Sequence, residues 1–454
     1  MRRLTVIALA ATLCLLLGSG AWAQRLDGSL RVSVTDHSQA SVEDAKVTVA
    51  NEATGVATTT TASSAGTYVF PNLLVGTYTV TVEKDGFKKA VQKGIAIASN
   101  QTADAKVELE LGSISAVVEV EAGADLVNTQ SSELGATFSG KVVNDLPLNT
   151  LGGDVKEFAV FAPGTTTQQG GVLGSGGSIG GTRPRFNGFN IDGVEDNKLD
   201  TNGPTQPVIQ ESIAEFTLLT NQFSSEYGHS AGGIFNTVTK SGTNNWHGSA
   251  WGYNRNRSYN AFDNQQKERV QSGQATDKDR FDYNRAGLTA GGPLIHNKWF
   301  IFGAYEFQNE GLAASSPQVT LPTADGLQTL QTLAFDSAVV DILKQFPVAP
   351  AQNACTATSK CTVDVNGTAI PVGDLTTVAP SYVNEHDFSV NSDVTLGKHQ
   401  FSTRYLYDRI RQPDFNASLP APQFLGTRAS GNHKAILSDV WTISSHFINN
   451  ARAS

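Results

Sequence analysis

Methionine occurs once in 454 residues, cysteine three times, and charged side chains make up only 17 % of the chain. Scarce Met and charge exclude the composition of a helical enzyme core. Basic clusters are missing as well. Beyond the pair Lys88-Lys89 no run of Lys or Arg stands out, and the net charge is −9. Phosphate-backbone binding needs clustered cations, so nucleic acid is excluded as the partner. None of the eight histidines begins an H-x-x-E or H-E-x-x-H pattern, which removes zinc-peptidase ligand spacing. A G-x-x-x-x-G-K-[ST] phosphate cradle is absent too. No catalytic residue, metal or cofactor is expected. What the chain has in plenty is glycine, 43 residues, set among Thr, Ser, Asn, Val and scattered aromatics, a mixture that favours strands and turns.

The chain opens on an address. Arg2 and Arg3 precede an apolar run from Leu4 to Leu17, and Ala21-Trp22-Ala23 supplies a small-x-small pattern. The run is short for a membrane span of about 20 residues. It reads as a secretory signal over 1–23, with cleavage between Ala23 and Gln24. Cys14 leaves with it. Cys355 and Cys361 remain, in a polar stretch with no histidine or second cysteine pair beside them, and in an oxidising compartment they read as a short-loop disulfide.

Short alternating runs follow: Leu30, Val32, Val34; Val47, Val49; Tyr78, Val80, Val82; Val107, Leu109. Such spacing predicts an all-β sandwich over 24–121. The segment GTYVFPNLLVGTYTVTVEKDGFKK resembles the carboxypeptidase regulatory-like domain, a transthyretin-like seven-stranded module. The resemblance implies a spacer or carbohydrate-binding module, not a peptidase. Val117, Val118, Glu119 and Val120 read either as its final edge strand or, by resemblance to TonB-dependent transporters, as a strand that pairs with TonB through free backbone groups.

Residues 122–243 resemble the α+β plug of the TonB-dependent receptor family. The opening is DLVNTQSSELGATFSGKVVNDLPLNT, with short helical pieces at Val142–Pro147 and Asp154–Phe161, and RFNGFNIDGV follows a Gly-rich loop. The run NQFSSEYGHSAGGIFNTVTKSGTN is the strongest match, to the Oar-like branch in which a regulatory-like sandwich precedes plug and barrel. Gly232 and Gly233 would permit close approach or positive φ where a strand bends, and Gly242 would turn the chain tightly into the barrel. Two patterns are decoys. Gly176–Gly180 fits G-x-S-x-G around Ser178, without the strand and helix a hydrolase elbow needs. Asp192, Glu195 and Asp196 crowd Gly193 without calcium-loop spacing and read as a solvated turn.

From residue 244 the chain alternates over about ten residues per strand, the signature of a transmembrane antiparallel β-barrel. Strands are expected at 245–256, 281–291, 298–309, 384–396, 399–411 and 432–443, with another from Ile448. Phe388, Val390 and Val394 oppose Asp387, Asn391 and Asp393; Phe401, Tyr405 and Tyr407 oppose Arg404 and Asp408. Trp299, Phe300, Phe302, Tyr305 and Phe307 are expected to supply aromatics facing lipid and its girdles. Short connections alternate with long ones at 257–280, 310–383 and 412–431.

About seven strands cannot enclose a plug, since plugged barrels have about 22. The chain therefore reads as the N-terminal part of a longer outer-membrane receptor, its barrel incomplete. The resemblance implies TonB as partner, outer-membrane lipid around the barrel, energy-coupled uptake of a large or scarce solute such as a carbohydrate or peptide, and no enzymatic step. The competing reading is a secreted or cell-surface β-rich adhesin or carbohydrate-binding protein.

Overall fold

A computed structural model describes residues 27–454 apart from 62–65, 114–116, 122–132, 147–154, 167–173, 225–226, 229, 272–277, 279, 313–317, 334–336, 347, 350–360, 377–380, 414–425 and 445–446. The signal-cleavage pair Ala23 and Gln24, and Cys355, lie outside the described residues. Cys361 is disulfide-bonded.

The first eight strands are β1 (Gly28–Asp36), β2 (Lys46–Asn51), β3 (Ala57–Thr61), β4 (Thr67–Leu73), β5 (Gly76–Glu83), β6 (Lys89–Ile97), β7 (Thr102–Leu109) and β8 (Val117–Glu121). They form two sheets, β4-β1-β7 and β3-β2-β5-β6-β8. Alternation explains the core. Leu30, Val32 and Val34 of one sheet and Val47, Val49, Val80 and Val82 of the other are buried together, while their strand neighbours face out. Tyr68 crosses this core to accept the Ala45 N–H at 3.1 Å. β8 is the edge strand of the larger sheet and runs parallel to β6, with Ala90 beside Val118.

An inner module follows: β9 (Leu134–Ser139), helix α1 (Gly140–Asp145), a 3-10 turn at Val155–Phe161, β10 (Thr165–Thr166), β11 (Ser178–Ile179), β12 (Gly188–Ile191), β13 (Val194–Glu195), β14 (Ile213–Asn221) and β15 (Ile234–Thr239). Its main sheet runs β13-β12-β15-β14-β9. β15 is central, so both its faces are buried, as the apolar groups on both sides of that sequence require. Phe138, Phe158 and Phe216 pack together at centroid separations of 5.8–6.0 Å. Ser178 lies on β11, a two-residue strand paired antiparallel with β10, not on a strand-to-helix elbow.

The wall begins with β16 (His247–Asn256), helix α2 (Asn264–Gln271), β17 (Phe281–Ile295) and β18 (Trp299–Leu312). The described residues between β18 and the next wall strand form β19 (Gln318–Pro322), α3 (Ala324–Thr332), α4 (Ser337–Leu343), β20 (Thr362–Val365) and β21 (Thr368–Thr376). Thr323 caps α3 by accepting the Gly326 N–H at 3.2 Å. β22 (Ser381–Leu396), β23 (His399–Pro413), β24 (Thr427–Ser444) and β25 (Phe447–Ala453) complete a seven-stranded antiparallel sheet, β16-β17-β18-β22-β23-β24-β25. Each strand expected from the alternation is present. Its two end strands, β16 and β25, do not pair with each other, so the barrel is not closed.

The aromatic assignment needs correction at two positions. Trp299 and Tyr305 face outward, but Phe300 and Phe302 are buried on the inner face, 3 % and 1 % exposed. Period two is the cause. Neighbouring aromatics on one strand must point to opposite faces, and Phe302 is claimed by an apolar cluster with Ile209 and Ala304.

Candidate functional site

Along β22 and β23 the residues that would face water in a soluble sheet face the inner module instead. Arg404 is the centre. Its Nη1 lies 2.9 Å from Asp393 on the neighbouring strand, and its Nε lies 3.7 Å from Asp192 of the inner module. Asp192 adopts a φ of 47° and accepts two bonds from Thr239, 2.9 Å from the backbone N–H and 2.6 Å from Oγ1. Asn391 donates to Thr239 Oγ1 at 2.9 Å and to the Lys240 carbonyl at 2.7 Å. Ser241 Oγ donates to Asp393.

A second contact joins Lys434 to Asp196 at 2.8 Å, while Asp196 accepts the Thr205 and Gln206 N–H groups at 3.1 and 3.2 Å. Burial pushes the Asp196 carboxyl up from its ordinary value, and Lys434 works against that push. The solvated-turn expectation is thus overturned for Asp192 and Asp196, whereas Glu195 is exposed as expected. Asp192 and Asp196 are 6 % and 2 % exposed because wall cations reach them. A third contact runs through Arg285, which pairs with Glu306 at 2.7 Å and donates to Gln210 at 3.0 Å; Gln210 in turn donates to the Val143 carbonyl of α1 at 2.6 Å. Apolar wall residues also contribute: Leu406 and Ile436 join the inner module's core, and Phe302 and Ala304 pack on Ile209.

The sandwich meets both other parts. Ser99 donates its N–H to Glu215 at 2.9 Å and its hydroxyl to the same carboxylate. Burial raises the Glu215 carboxyl, and the Ser99 donors partly offset this. Asn244 donates to the Thr54 carbonyl and to Asn297, both at 2.6 Å. Arg452 of β25 stands 3.3 Å from Asp27. Between the three parts lies a cavity of about 390 Å³, lined among others by Tyr78, Val238 and Phe401.

The singled-out residues fall in different places. Val117–Val120 lie in β8, with Val117 and Val120 exposed and no strand on its outer side among the described residues. Gly232 and Gly233 precede β15 and Gly242 follows it, all three at ordinary φ. The reason for glycine is approach rather than a turn. A Cβ at Gly232 would stand 2.3 Å from Asn187 Oδ1, one at Gly233 2.4 Å from Ile179 Cδ1, and one at Gly242 2.4 Å from the Ile301 carbonyl oxygen. Arg404, Asp192, Asp196, Arg285 and Glu306 escaped notice as a site. For Arg404, Arg285 and Glu306 a signal was there, ionised groups on the polar face of strands too long for a soluble sheet; Asp192 and Asp196, in a turn and a loop, carried none.

This arrangement defines a class. Residues 238–454 match the outer membrane beta barrel domain, and residues 29–110 match the carboxypeptidase regulatory-like domain. The chain thus carries a regulatory-like sandwich followed by an outer membrane beta barrel domain. It is similar to the TonB-dependent transporter Oar of Myxococcus xanthus, 28 % identical over 299 residues. That alignment covers 64 % of this chain and 27 % of Oar, so the chain spans about a quarter of that relative's length. Among solved structures, the outer membrane transporter YddB from Escherichia coli is 12 % identical over 68 % of this chain and 45 % of that one, at a TM-score of 0.32. The siderophore receptor PirA from Pseudomonas aeruginosa is 11 % identical over 70 % and 55 %, at 0.30.

Proposed function

We propose that this chain is the N-terminal part of a TonB-dependent outer-membrane receptor, residues 122–243 being its plug. The observation that carries the reading is the polar seat around Arg404. A plug must block a water-filled lumen and yet be displaced by force. Ion pairs and hydrogen bonds between two preformed surfaces serve this, because water can replace each of them when the surfaces part. A fused apolar core would resist. The transporter relative agrees with a protein that carries out no covalent chemistry.

In this reading TonB pairs with the free edge of β8 at Val117–Val120 and transmits energy to the plug. The solute is large or scarce; carbohydrate and peptide both fit a non-enzymatic receptor. Further strands close the barrel, since open edges in lipid leave backbone groups unsatisfied at several kcal/mol each.

The test is the native product in purified outer membranes, identified by peptides of this sequence. A heat-modifiable, membrane-integral band on the order of 100 kDa, expected for a barrel of about 22 strands with its plug, together with solute uptake that stops when TonB is deleted, supports the receptor. A product that washes off the membrane overturns it in favour of a surface adhesin.

A further inference from the structure

The outward face of the wall carries a charge pattern that neither plug seating nor uptake uses. Across the β22–β23 ladder, His386 stands opposite Arg409 and Asn384 opposite Arg411. Across β23–β24, His433 stands opposite Tyr407 and Gly431 opposite Arg409. Opposed residues on one face lie about 5 Å apart at Cβ and diagonal ones about 7–8 Å. His386, Arg409 and His433 therefore form one patch, with Arg411 a step further along. All four are exposed. Among the described residues neither Arg409 nor Arg411 has an ion-pair or side-chain hydrogen-bond partner. The carboxylates of the same stretch turn the other way: Glu385, Asp387 and Asp408 are 4 %, 3 % and 0 % exposed on the inner face. The inner face of these strands mixes both signs, Arg404 and Lys434 being paired there with aspartates, whereas the outward patch carries cations without a carboxylate opposite them.

The two histidines are held alike. The Tyr305 hydroxyl lies 2.9 Å from His386 Nδ1, and the Tyr405 hydroxyl 2.8 Å from His433 Nδ1. Phe307 packs on the first ring at 4.9 Å and Tyr407 on the second at 4.7 Å. With the tyrosine hydroxyl donating, the imidazole proton sits on Nε2, so each ring presents an N–H donor even when neutral. The patch lies where β22 begins and β23 ends, beside the long connections, which in a barrel is the outer end. Below it the face is apolar, with Phe388 and Leu437 exposed. Tyr305 and Tyr405 at that boundary mark the headgroup level. Arginine there is stabilised by a phosphate, which it can bind with two parallel bonds.

We propose that Arg409, Arg411, His386 and His433 form a binding site for the phosphate of an outer-leaflet lipid, with the Tyr-His pairs as fixed donors. The inference rests on the barrel's membrane placement and is independent of transport.

The protein is extracted from native outer membranes in mild detergent and moved into phosphatidylcholine nanodiscs with or without diphosphoryl lipid A. Retained lipid is counted by native mass spectrometry. The parent protein is expected to keep lipid A, and Arg409→Ser with Arg411→Ser to lower its retention on the order of tenfold, the loss of charged hydrogen bonds, with heat-modifiability unchanged. Arg409→Lys with Arg411→Lys should keep most of it. Equal retention of dephosphorylated lipid A by the parent overturns the proposal without any variant. So does equal retention by the folded serine variant. Displacement by inorganic phosphate at equal concentration would assign the site to free phosphate and overturn the lipid.

Discussion

At the scale of single residues, burial decides what the charges do. Glu215 shows the sign most directly. Burial raises its carboxyl above the ordinary value, so the folded protein holds the proton more tightly than the unfolded chain. Its contribution is most favourable below the unfolded value of about 4.3 and is lost as pH rises through its folded value. Glu215→Gln keeps an acceptor for the Ser99 N–H and removes the charge. The variant is expected to be at least as stable as the parent at pH 7, the two converging below about pH 4, in thermal unfolding of the detergent-solubilised protein. A clearly less stable variant at pH 7 would show that the charge itself is needed. Arg404 is the opposite case. Arg404→Ala leaves Asp192 and Asp393 buried with their cation gone, a loss of about 3–5 kcal/mol. Protease should then cut the inner module at urea concentrations the parent survives, and unchanged cutting would mean the seat is held elsewhere.

At the scale of elements, the chain leaves β15 for the wall by passing directly under two strands. Gly242 is in contact distance of the Ile301 and Gly292 carbonyls, 2.4 and 2.7 Å from where a Cβ would sit. Those atoms belong to a hydrogen-bonded ladder and cannot retreat independently. Gly242→Ala is expected to cost about 1–3 kcal/mol, as overpacking does, and to lower the heat-modifiable fraction on a gel. A variant that assembles like the parent would show that the strand can shift outward. The sequence signalled that glycine mattered here. It suggested a turn because turns are the commonest reason, whereas approach between segments some 50 residues apart leaves no local mark. The Phe300 and Phe302 assignment failed similarly. The strand was legible, but aromatic content alone does not reveal which face of a strand meets lipid.

At the scale of the whole molecule, sandwich, inner module and wall hold one another through polar contacts around a cavity. Ser99 and Thr217 have hydroxyls 3.5 Å apart across one of these interfaces. Ser99→Cys with Thr217→Cys should form a disulfide after export, seen as faster migration on a non-reducing denaturing gel and reversed by reductant. No shift would place the sandwich away from the inner module in the membrane. If uptake requires the plug to part from the sandwich, the oxidised variant should also transport less than the reduced one.

The sequence by itself determined the elements and the class. Alternation over 384–396 and 399–411 specified long two-faced strands, and the regularly spaced valines before residue 110 specified a sandwich, because side-chain direction in a strand follows chain position. The absence of clustered cations and of metal or nucleophile patterns narrowed the function before any fold was known. Only the tertiary structure decided what the polar face was for. Asp192 and Arg404 are 212 positions apart by number, and Asp196 and Lys434 farther still. Nothing local distinguishes an aspartate that solvates a turn from one that seats a module against a wall. That difference is created when folding removes water from both partners at once.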